Sequence, residues 1–347
     1  MISVLDEDFT AINQYISQNN FSKLFILCDE NSHEYCLPTL LGNLETDIPF
    51  ELIEIEEGED LKNIDTAIQL WEILTEFQAD RKALLINLGG GVITDLGGFV
   101  ASTYKRGIRF IHIPTTLLAM CDASIGGKTG IDHGFLKNLV GTFAPAENIF
   151  LYTNFLLSLD FVELRSGFAE MLKHGLINDA EHWHELIKVD LHQPQSLFPF
   201  IEKSMHIKQN IVDQDFKEMG LRKLLNFGHT VGHAVESGYL NLQIPIPHGE
   251  AVAMGMIVET RISFLENLIS ESVCDEIIQQ LQSVFPYLPI DDFSNETLLS
   301  IMMNDKKNDH NTINFSLITG IGKGKWDVKC SAEHITEALE YYRNLKK

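Results

Sequence analysis

Short β-rich segments alternate with helical segments through the first 150 residues, and this alternation constrains the fold more than any other feature of the chain. Strands are predicted over residues 24–27, 50–55, 83–88 and 109–113. Apolar residues spaced near 3.6 predict a helix over residues 61–77, and a second helix is expected over residues 94–104. Alternating strands and helices form a parallel sheet with helices on both faces. We therefore expect a Rossmann-like α/β domain with a parallel sheet.

After about residue 155 the strand signals become sparse. Helices are predicted over residues 162–177, 199–213, 224–239, 249–267 and 272–284, and one lone strand over residues 313–317. A chain of 347 residues is long enough for two domains. We therefore place an α/β domain at residues 1–155 and a mainly α-helical domain at residues 156–347.

The charge of the chain excludes several classes of partner. It has 26 Lys and Arg residues against 49 Asp and Glu residues, a formal net charge of −23. Nucleic acids and anionic membranes bind cationic surfaces, so neither is expected as a partner. A small anionic substrate remains compatible, because a pocket can be basic inside an acidic protein. No apolar run reaches about 18 residues, and the first residues are acidic, so we expect a cytoplasmic protein.

A glycine-rich turn joins the third predicted strand to a helix. Gly89, Gly90 and Gly91 stand where backbone N–H groups at a helix N-terminus can meet a phosphate. The match to G-x-G-x-x-G is incomplete, because its third glycine position is Thr94. The turn therefore indicates either dinucleotide binding or a tight strand–helix connection. Asp95 in the following turn could accept a hydrogen bond from a ribose hydroxyl or an amide.

Two further segments carry polar residues that suit a ligand. Asp29 and Asn31 follow the first predicted strand, where an acidic residue either holds a ribose or forms a turn. A glycine-rich loop after residue 121 carries Lys128 and leads to Lys137, in a protein with few lysines. These two ammonium groups could bind phosphate or carboxylate as point charges.

The helical half concentrates histidines and carboxylates. His229 and His233 are four residues apart on one helical face, and His248 stands at a predicted helix start. Glu170 and Lys173 share a face of an upstream helix. Two histidines and one carboxylate make a zinc site with an open fourth position, although a lone histidine is more often structural. The H-E-x-x-H pattern of thermolysin-like proteases is missing, which disfavours that class.

Taken together, these motifs resemble those of the 3-dehydroquinate synthase family of sugar phosphate cyclases. The resemblance runs from about residue 29 to about residue 322. It is carried by residues 89–95, 106–107, 114–120, 122–128, 137–138, 167–173, 222–236 and 248–250. The segment 132–136 and Thr94 depart from the family pattern.

The resemblance implies a role for each matched residue. The metal ligands, for zinc or cobalt, would be Glu170, His229 and His248. The NAD contacts would be Asp29, Asn31, Glu59, Lys62, Gly90, Gly91, Val92, Ile93, Asp95, Thr115, Thr116, Lys128, Lys137, Phe155 and Ser158. The substrate and catalytic set would be Arg106, Asp122, Lys128, Lys137, Asn138, Lys173, Lys208, Arg222, Asn226, His233 and one of Lys306 and Lys307.

The function implied is conversion of 3-deoxy-D-arabino-heptulosonate 7-phosphate to 3-dehydroquinate and phosphate in the shikimate pathway. NAD would be used and regenerated in the reaction, and a homodimer would be expected. Three alternatives stay open: a cyclase acting on sedoheptulose 7-phosphate or glucose 6-phosphate, a metal-dependent polyol dehydrogenase, and a non-catalytic binding protein. The first domain would bind NAD, and the second would bind metal and substrate.

Overall fold

The chain divides into two compact units, Met1–Asp160 and Phe161–Lys347. A computed structural model of the protein describes residues 1–134, 136–303 and 313–346. The division falls after Asp160, whereas the sequence places it after residue 155. No helix in the part of the chain that the structure describes is both long and apolar enough to cross a membrane.

The first unit is an α/β domain. Its strands are β1 (Ile2–Val4), β2 (Leu24–Asp29), β3 (Phe50–Ile55), β4 (Leu84–Gly89), β5 (Arg109–Pro114), β6 (Lys128–His133), β7 (Leu136–Phe143) and β8 (Ile149–Leu151). Its helices are α1 (Thr10–Ser17), α2 (Glu30–Tyr35), α3 (Leu37–Asn43), α4 (Ile64–Glu76) and α5 (Gly91–Thr103). All side chains of β4 are buried, as expected for a central strand covered on both faces.

Six of these strands form one sheet in the order β1-β8-β5-β4-β2-β3, and every neighbouring pair is parallel. The predicted Rossmann-like parallel sheet is therefore confirmed. From β2 the chain crosses to β3 on one side, whereas from β4 it crosses to β5 on the other side. Adjacent strands whose connections leave in opposite directions form a switch point, where ligands bind at the carboxyl ends. The turn after β4 and Asp29 at the end of β2 both lie there.

The second unit is mainly helical, as predicted. Its helices are α6 (Phe161–Asn178), α7 (Ala180–Leu186), α8 (Phe198–Gln214), α9 (His229–Asn241), α10 (His248–Leu265), α11 (Glu271–Val284), α12 (Asn295–Met303) and α13 (Ala332–Arg343). Its strands are β9 (Asn314–Gly320) and β10 (Lys323–Lys329), which pair antiparallel. Nearly all of α10 between Gly249 and Ser263 is buried, so this helix is the centre of the unit.

Three local predictions were wrong. The helix predicted over residues 224–239 is interrupted at Gly228, whose φ of 80° ends a 3₁₀ turn before α9 begins. The strand predicted as lone near residue 313 pairs with β10, whose charged side chains hid it from hydrophobic patterning. The glycine-rich loop after residue 121 includes an antiparallel hairpin, because β6 and β7 place Lys128 and Lys137 on strands.

Candidate functional site

Three side chains from three helices of the second unit point at one another. Glu170 of α6 is fully buried, and its Oε1 lies 3.5 Å from Nε2 of His229 and 3.8 Å from Nε2 of His248. Among the described residues no group donates a hydrogen bond to this oxygen. Two ligands about 2.1 Å from a tetrahedral ion lie roughly 3.4 Å apart. The donor set therefore fits a divalent metal ion.

The far ring nitrogens of both histidines face oxygen acceptors. Nδ1 of His229 lies 3.1 Å from the carbonyl oxygen of Phe227, and Nδ1 of His248 lies 3.5 Å from Oε2 of Glu236. A histidine that donates from Nδ1 keeps the Nε2 lone pair for a metal. Both rings are thus oriented with Nε2 directed towards Glu170.

Glycines let the three helices approach closely enough to bring these ligands together. A Cβ on Gly249, next to His248, would lie 2.1 Å from the carbonyl oxygen of Ser166 on α6. A Cβ on Gly255 would lie 1.9 Å from the carbonyl oxygen of Gly228. The hydroxyl of Ser166 also accepts a hydrogen bond from the N–H of Gly249, 2.9 Å away. These contacts fix the start of α10 against α6 and α9.

The ring of His233 lies beside the ligand set. Its centroid is 5.1 Å from that of His229 and 5.8 Å from that of His248. The three histidines alone offer nitrogen atoms within 4.8 Å of one another. We propose Glu170 as the third ligand, because its buried Oε1 faces Nε2 of both His229 and His248, which leaves His233 next to the centre.

Predicted substrate-binding cations are buried in the same unit. Lys173, Lys208 and Arg222 are each less than 7% exposed. Lys173 pairs with Oε2 of Glu170, and Arg222 donates to the carbonyl oxygen of Phe216 at 2.7 Å. Buried cations are costly unless they are paired, and these contacts with Glu170 and Phe216 offset that cost for Lys173 and Arg222. The other predicted cations of this unit, Lys306 and Lys307, lie outside the described residues.

Hydrogen bonds within the loop before α9 hold two of the predicted substrate-binding residues, Arg222 and Asn226. Oδ2 of Asp215 accepts from the N–H groups of Gly220 and Arg222, at 2.7 and 3.1 Å. The amide of Asn226 donates to Oε1 of Glu218 at 2.6 Å. Backbone hydrogen bonds from this loop lower the pKa of Asp215 despite the opposing effect of burial. Asp215 therefore stays ionised and holds the backbone at Arg222.

The glycine turn of the first unit offers a phosphate site. Gly90 is the N-cap of α5 and supplies no side chain to cap its N–H groups. A Cβ there would lie 3.0 Å from Cγ2 of Thr116, so the turn is closely packed. The side chain of Ile93 is buried in the core, whereas Gly91 and Val92 are partly exposed. This arrangement leaves backbone donors at a helix N-terminus, which suits a nucleotide phosphate.

Four predicted NAD contacts form one ionic network. The buried Lys62 ammonium lies 2.8 Å from Oδ2 of Asp95 and 3.5 Å from Oε1 of Glu59, and Nζ of Lys137 is 3.6 Å from the same Glu59 oxygen. Burial acts to lower the pKa of Lys62, but the carboxylates of Asp95, Glu59 and Asp132 outweigh it and raise the pKa. Lys62 is therefore a permanent cation beside the glycine turn.

The remaining NAD candidates sit near other strand ends. Asp29 caps α2, its Oδ1 accepting from the N–H of Ser32 at 2.7 Å, so the turn-forming alternative describes its side chain. Asn31 pairs with Glu57. The other predicted NAD contacts follow β5 and β8 in the chain, and they are Thr115, Thr116, Phe155 and Ser158. The N–H of Thr115 donates to the carbonyl oxygen of Gly89 at 3.0 Å, which joins this segment to the glycine turn.

The structure does not gather all substrate candidates of the first unit. Arg106 is exposed in a 3₁₀ turn before β5, so it lies at the amino edge of the sheet, opposite the glycine turn. Asp122 lies in a π-helical turn, and Lys128 begins β6. Asn138 has a φ of 52°, and its N–H donates to Oδ1 of Asp132 at 2.6 Å.

Two carboxylates behind the ligands were not predicted from the sequence. Glu236 faces His248, and the fully buried Glu259 accepts from the N–H groups of Gly228 and Val231. Glu236 is seven residues after His229, two turns along the same helical face, and that spacing was the available signal. Glu259 lies in a helix with little amphipathic character, so no spacing marks it.

Comparison with known proteins places these residues in a family. The model described as 3-dehydroquinate synthase N-terminal matches residues 52–166, and the one described as 3-dehydroquinate synthase C-terminal matches residues 167–308. The 3-dehydroquinate synthase of Parabacteroides distasonis is 40% identical over 96% of this chain and 95% of its own. The 3-dehydroquinate synthase of Campylobacter concisus is 42% identical over 88% of each chain.

Solved structures agree with this assignment. The 2-epi-5-epi-valiolone synthase of Streptomyces hygroscopicus, solved with NAD⁺ and Zn²⁺ bound, has a TM-score of 0.87 and 26% identity, covering 100% of this chain and 97% of its own. Identity is thus higher to the synthases of 3-dehydroquinate than to this cyclase. The chain belongs to the 3-dehydroquinate synthase family.

Proposed function

We propose that this chain converts 3-deoxy-D-arabino-heptulosonate 7-phosphate to 3-dehydroquinate and phosphate with NAD and one divalent metal ion. As a member of its family, the chain is an enzyme, a lyase of the shikimate pathway. The observation that carries the proposal is the convergence of Glu170 Oε1 with Nε2 of His229 and His248. A decayed, non-catalytic relative would not be expected to keep this donor set.

The metal would be held by Glu170, His229 and His248, with zinc or cobalt as the ion. When bound, the ion supplies Lewis acidity to a substrate hydroxyl, and NAD accepts and returns a hydride. The fully buried Glu170 keeps one oxygen for the ion while Lys173 binds the other. Lys173 thereby offsets the negative charge of its neighbour, and the carboxylate stays oriented.

The proposed substrate is an anionic sugar acid, with a carboxylate and a phosphate. Lys173, Lys208 and Arg222 supply buried positive charge in the second unit, and a buried charge acts more strongly than an exposed one. Arg222 adds a planar fork suited to a carboxylate or phosphate. His233, beside both histidine ligands, is placed to move a proton, since an imidazole titrates near neutral pH.

The first unit would hold NAD, and the second the metal and substrate. At the glycine turn, the free backbone donors of α5 would bind the pyrophosphate, as in other Rossmann-like folds. Asp95, fixed by Lys62, would accept from a ribose hydroxyl or the nicotinamide amide. We further propose that the protein acts in the cytoplasm as a homodimer, with no nucleic acid or membrane partner, on the basis of the family and the acidic surface charge.

Phosphate release separates this function from its alternatives. The purified protein, supplied with NAD and Zn²⁺ or Co²⁺, should release phosphate from the heptulosonate and not from sedoheptulose 7-phosphate or glucose 6-phosphate. Release from either of those sugars alone would assign the chain to a different cyclase. Glycerol should produce no NADH, whereas a polyol dehydrogenase would accumulate it. No release from the heptulosonate would refute the proposal.

A further inference from the structure

The first turn of α9, which carries His229, begins without a side-chain cap of its own. Gly228 is the N-cap, with a left-handed φ of 80°. A Cβ at this position would lie 2.5 Å from Cγ of Met256 and 2.9 Å from the carbonyl oxygen of Val252. The close approach of α10 therefore excludes the Ser, Thr, Asp or Asn that usually caps a helix. The N–H groups of this turn have no acceptor within the helix, so they need one from elsewhere.

Glu259 of α10 supplies that acceptor. Its side chain is fully buried, Oε2 accepts from the N–H of Gly228 at 2.6 Å, and Oε1 accepts from the N–H of Val231 at 3.0 Å. A carboxylate at a helix N-terminus is stabilised both by these charge-assisted hydrogen bonds and by the helix dipole. The two bonds bracket His229 in the chain.

The same carboxylate also acts on the ring orientation of His229. Nδ1 of His229 lies 3.1 Å from the carbonyl oxygen of Phe227, the residue immediately before Gly228. Fixing the peptide N–H of Gly228 fixes the plane of the peptide group that contains that carbonyl. Glu259 thus holds both the backbone of the ligand and the acceptor that orients its ring.

We propose that Glu259 is a positioning residue for the metal centre, which directs Nε2 of His229 towards Glu170. This inference rests on the proposed metal site. It differs from a purely structural capping role in one respect: loss of the carboxylate should weaken metal binding beyond any loss of stability. Outer contacts of this kind are worth ~10–100-fold in metal affinity.

The test uses the full chain, freed of metal by a chelator and titrated with Co²⁺ alone. In Glu259→Gln the amide N–H₂ must face a backbone N–H, so one of the two bonds is lost. We expect Co²⁺ affinity to fall ~10–100-fold and the visible absorption of bound Co²⁺ to change. The control is Ser331→Ala, which removes the Oγ acceptor for the N–H of His334 at the start of α13. It should lower Tm with Co²⁺ affinity and spectrum unchanged.

The outcomes distinguish the two proposals. Wild-type protein that binds no Co²⁺ would overturn both the metal site and this inference. Wild-type protein that binds Co²⁺, with Glu259→Gln matching its affinity and spectrum, would overturn the inference alone. Should Glu259→Gln not fold, Glu259→Asp retains the charge but reaches one methylene less far. Weaker Co²⁺ binding by folded Glu259→Asp supports the inference, and wild-type affinity and spectrum in that variant contradict it.

Discussion

A single methyl group at Gly249 should dismantle the metal centre without unfolding the protein. The Cβ of Gly249→Ala would lie 2.1 Å from the carbonyl oxygen of Ser166, a backbone atom of α6, and no side-chain rotation can relieve the contact. Ordinary contact begins near 3.4 Å, so the start of α10 must retreat from α6 by roughly 1.3 Å. Overpacking of this kind costs ~1–3 kcal/mol, which a domain usually survives.

The retreat acts directly on the ligand spacing. Nε2 of His248 lies 3.8 Å from Oε1 of Glu170. Two ligands at about 2.1 Å from one ion can be at most about 4.2 Å apart. If α10 moves rigidly away from α6 by roughly 1.3 Å, the distance between Nε2 of His248 and Oε1 of Glu170 exceeds that limit, and one ligand is lost. We expect Co²⁺ affinity to fall by at least the ~100-fold that loss of an outer contact can cause.

Chelator-competition titration with Co²⁺, beside urea unfolding, measures both effects. The matched control is Gly42→Ala, since Gly42 lies exposed in α3 and a Cβ there meets nothing within 4 Å. This control should bind Co²⁺ as the wild type does and be slightly more stable, because alanine favours helix. Wild-type Co²⁺ affinity in Gly249→Ala would refute the claim that close helix packing sets the ligand geometry.

Three further predictions follow from the buried ionic and histidine contacts. Lys62→Met removes the buried ammonium beside Asp95, and we expect it to lower the free energy of unfolding of the first unit by ~3 kcal/mol in urea; an unchanged value would contradict this pairing. Burial lowers the pKa of His112 to about 3, so below pH 6.5 the unfolded chain binds a proton that the folded chain does not. Stability should therefore fall by about 1.4 kcal/mol per pH unit from pH 6 to pH 4, and His112→Gln should abolish that part of the slope. Glu236→Gln should weaken Co²⁺ binding ~10-fold with little change in Tm. Wild-type Co²⁺ affinity in this variant would show that Glu236 does not orient His248.

The fold was predictable where hydrophobic spacing is strong. The strand from residue 50 to residue 55 matches its prediction at both ends, and β4 and α6 differ from their predictions by one residue at each end. Patterning failed where tertiary contacts decide. Gly228 breaks a helix that its neighbours favour, because α10 packs too close for a side chain at that position. Strand β10 is mostly polar and is fixed by pairing with β9.

The candidate site was predictable to the extent that its residues carry motifs. Glu170, His229 and His248 are far apart in sequence, and spacing alone identified only two pairs, His229 with His233 and Glu170 with Lys173. The structure adds what fixes the ligands: glycine contacts, Glu236 and Glu259. Such contacts depend on how helices cross, which no local pattern in one sequence reports.

The measurement that tests the metal centre most directly is elemental analysis of Glu170→Gln. In this variant the amide oxygen of the new side chain can still accept a hydrogen bond from Lys173, so the fold should survive. The amide N–H₂ group faces Nε2 of His229 and has no lone pair for an ion. Glu202→Gln, the same change at an exposed position of α8, is the matched control. We predict that Glu170→Gln is folded, contains no zinc or cobalt and releases no phosphate from the heptulosonate, whereas the control retains both metal and activity. Full metal occupancy in folded Glu170→Gln would contradict the account.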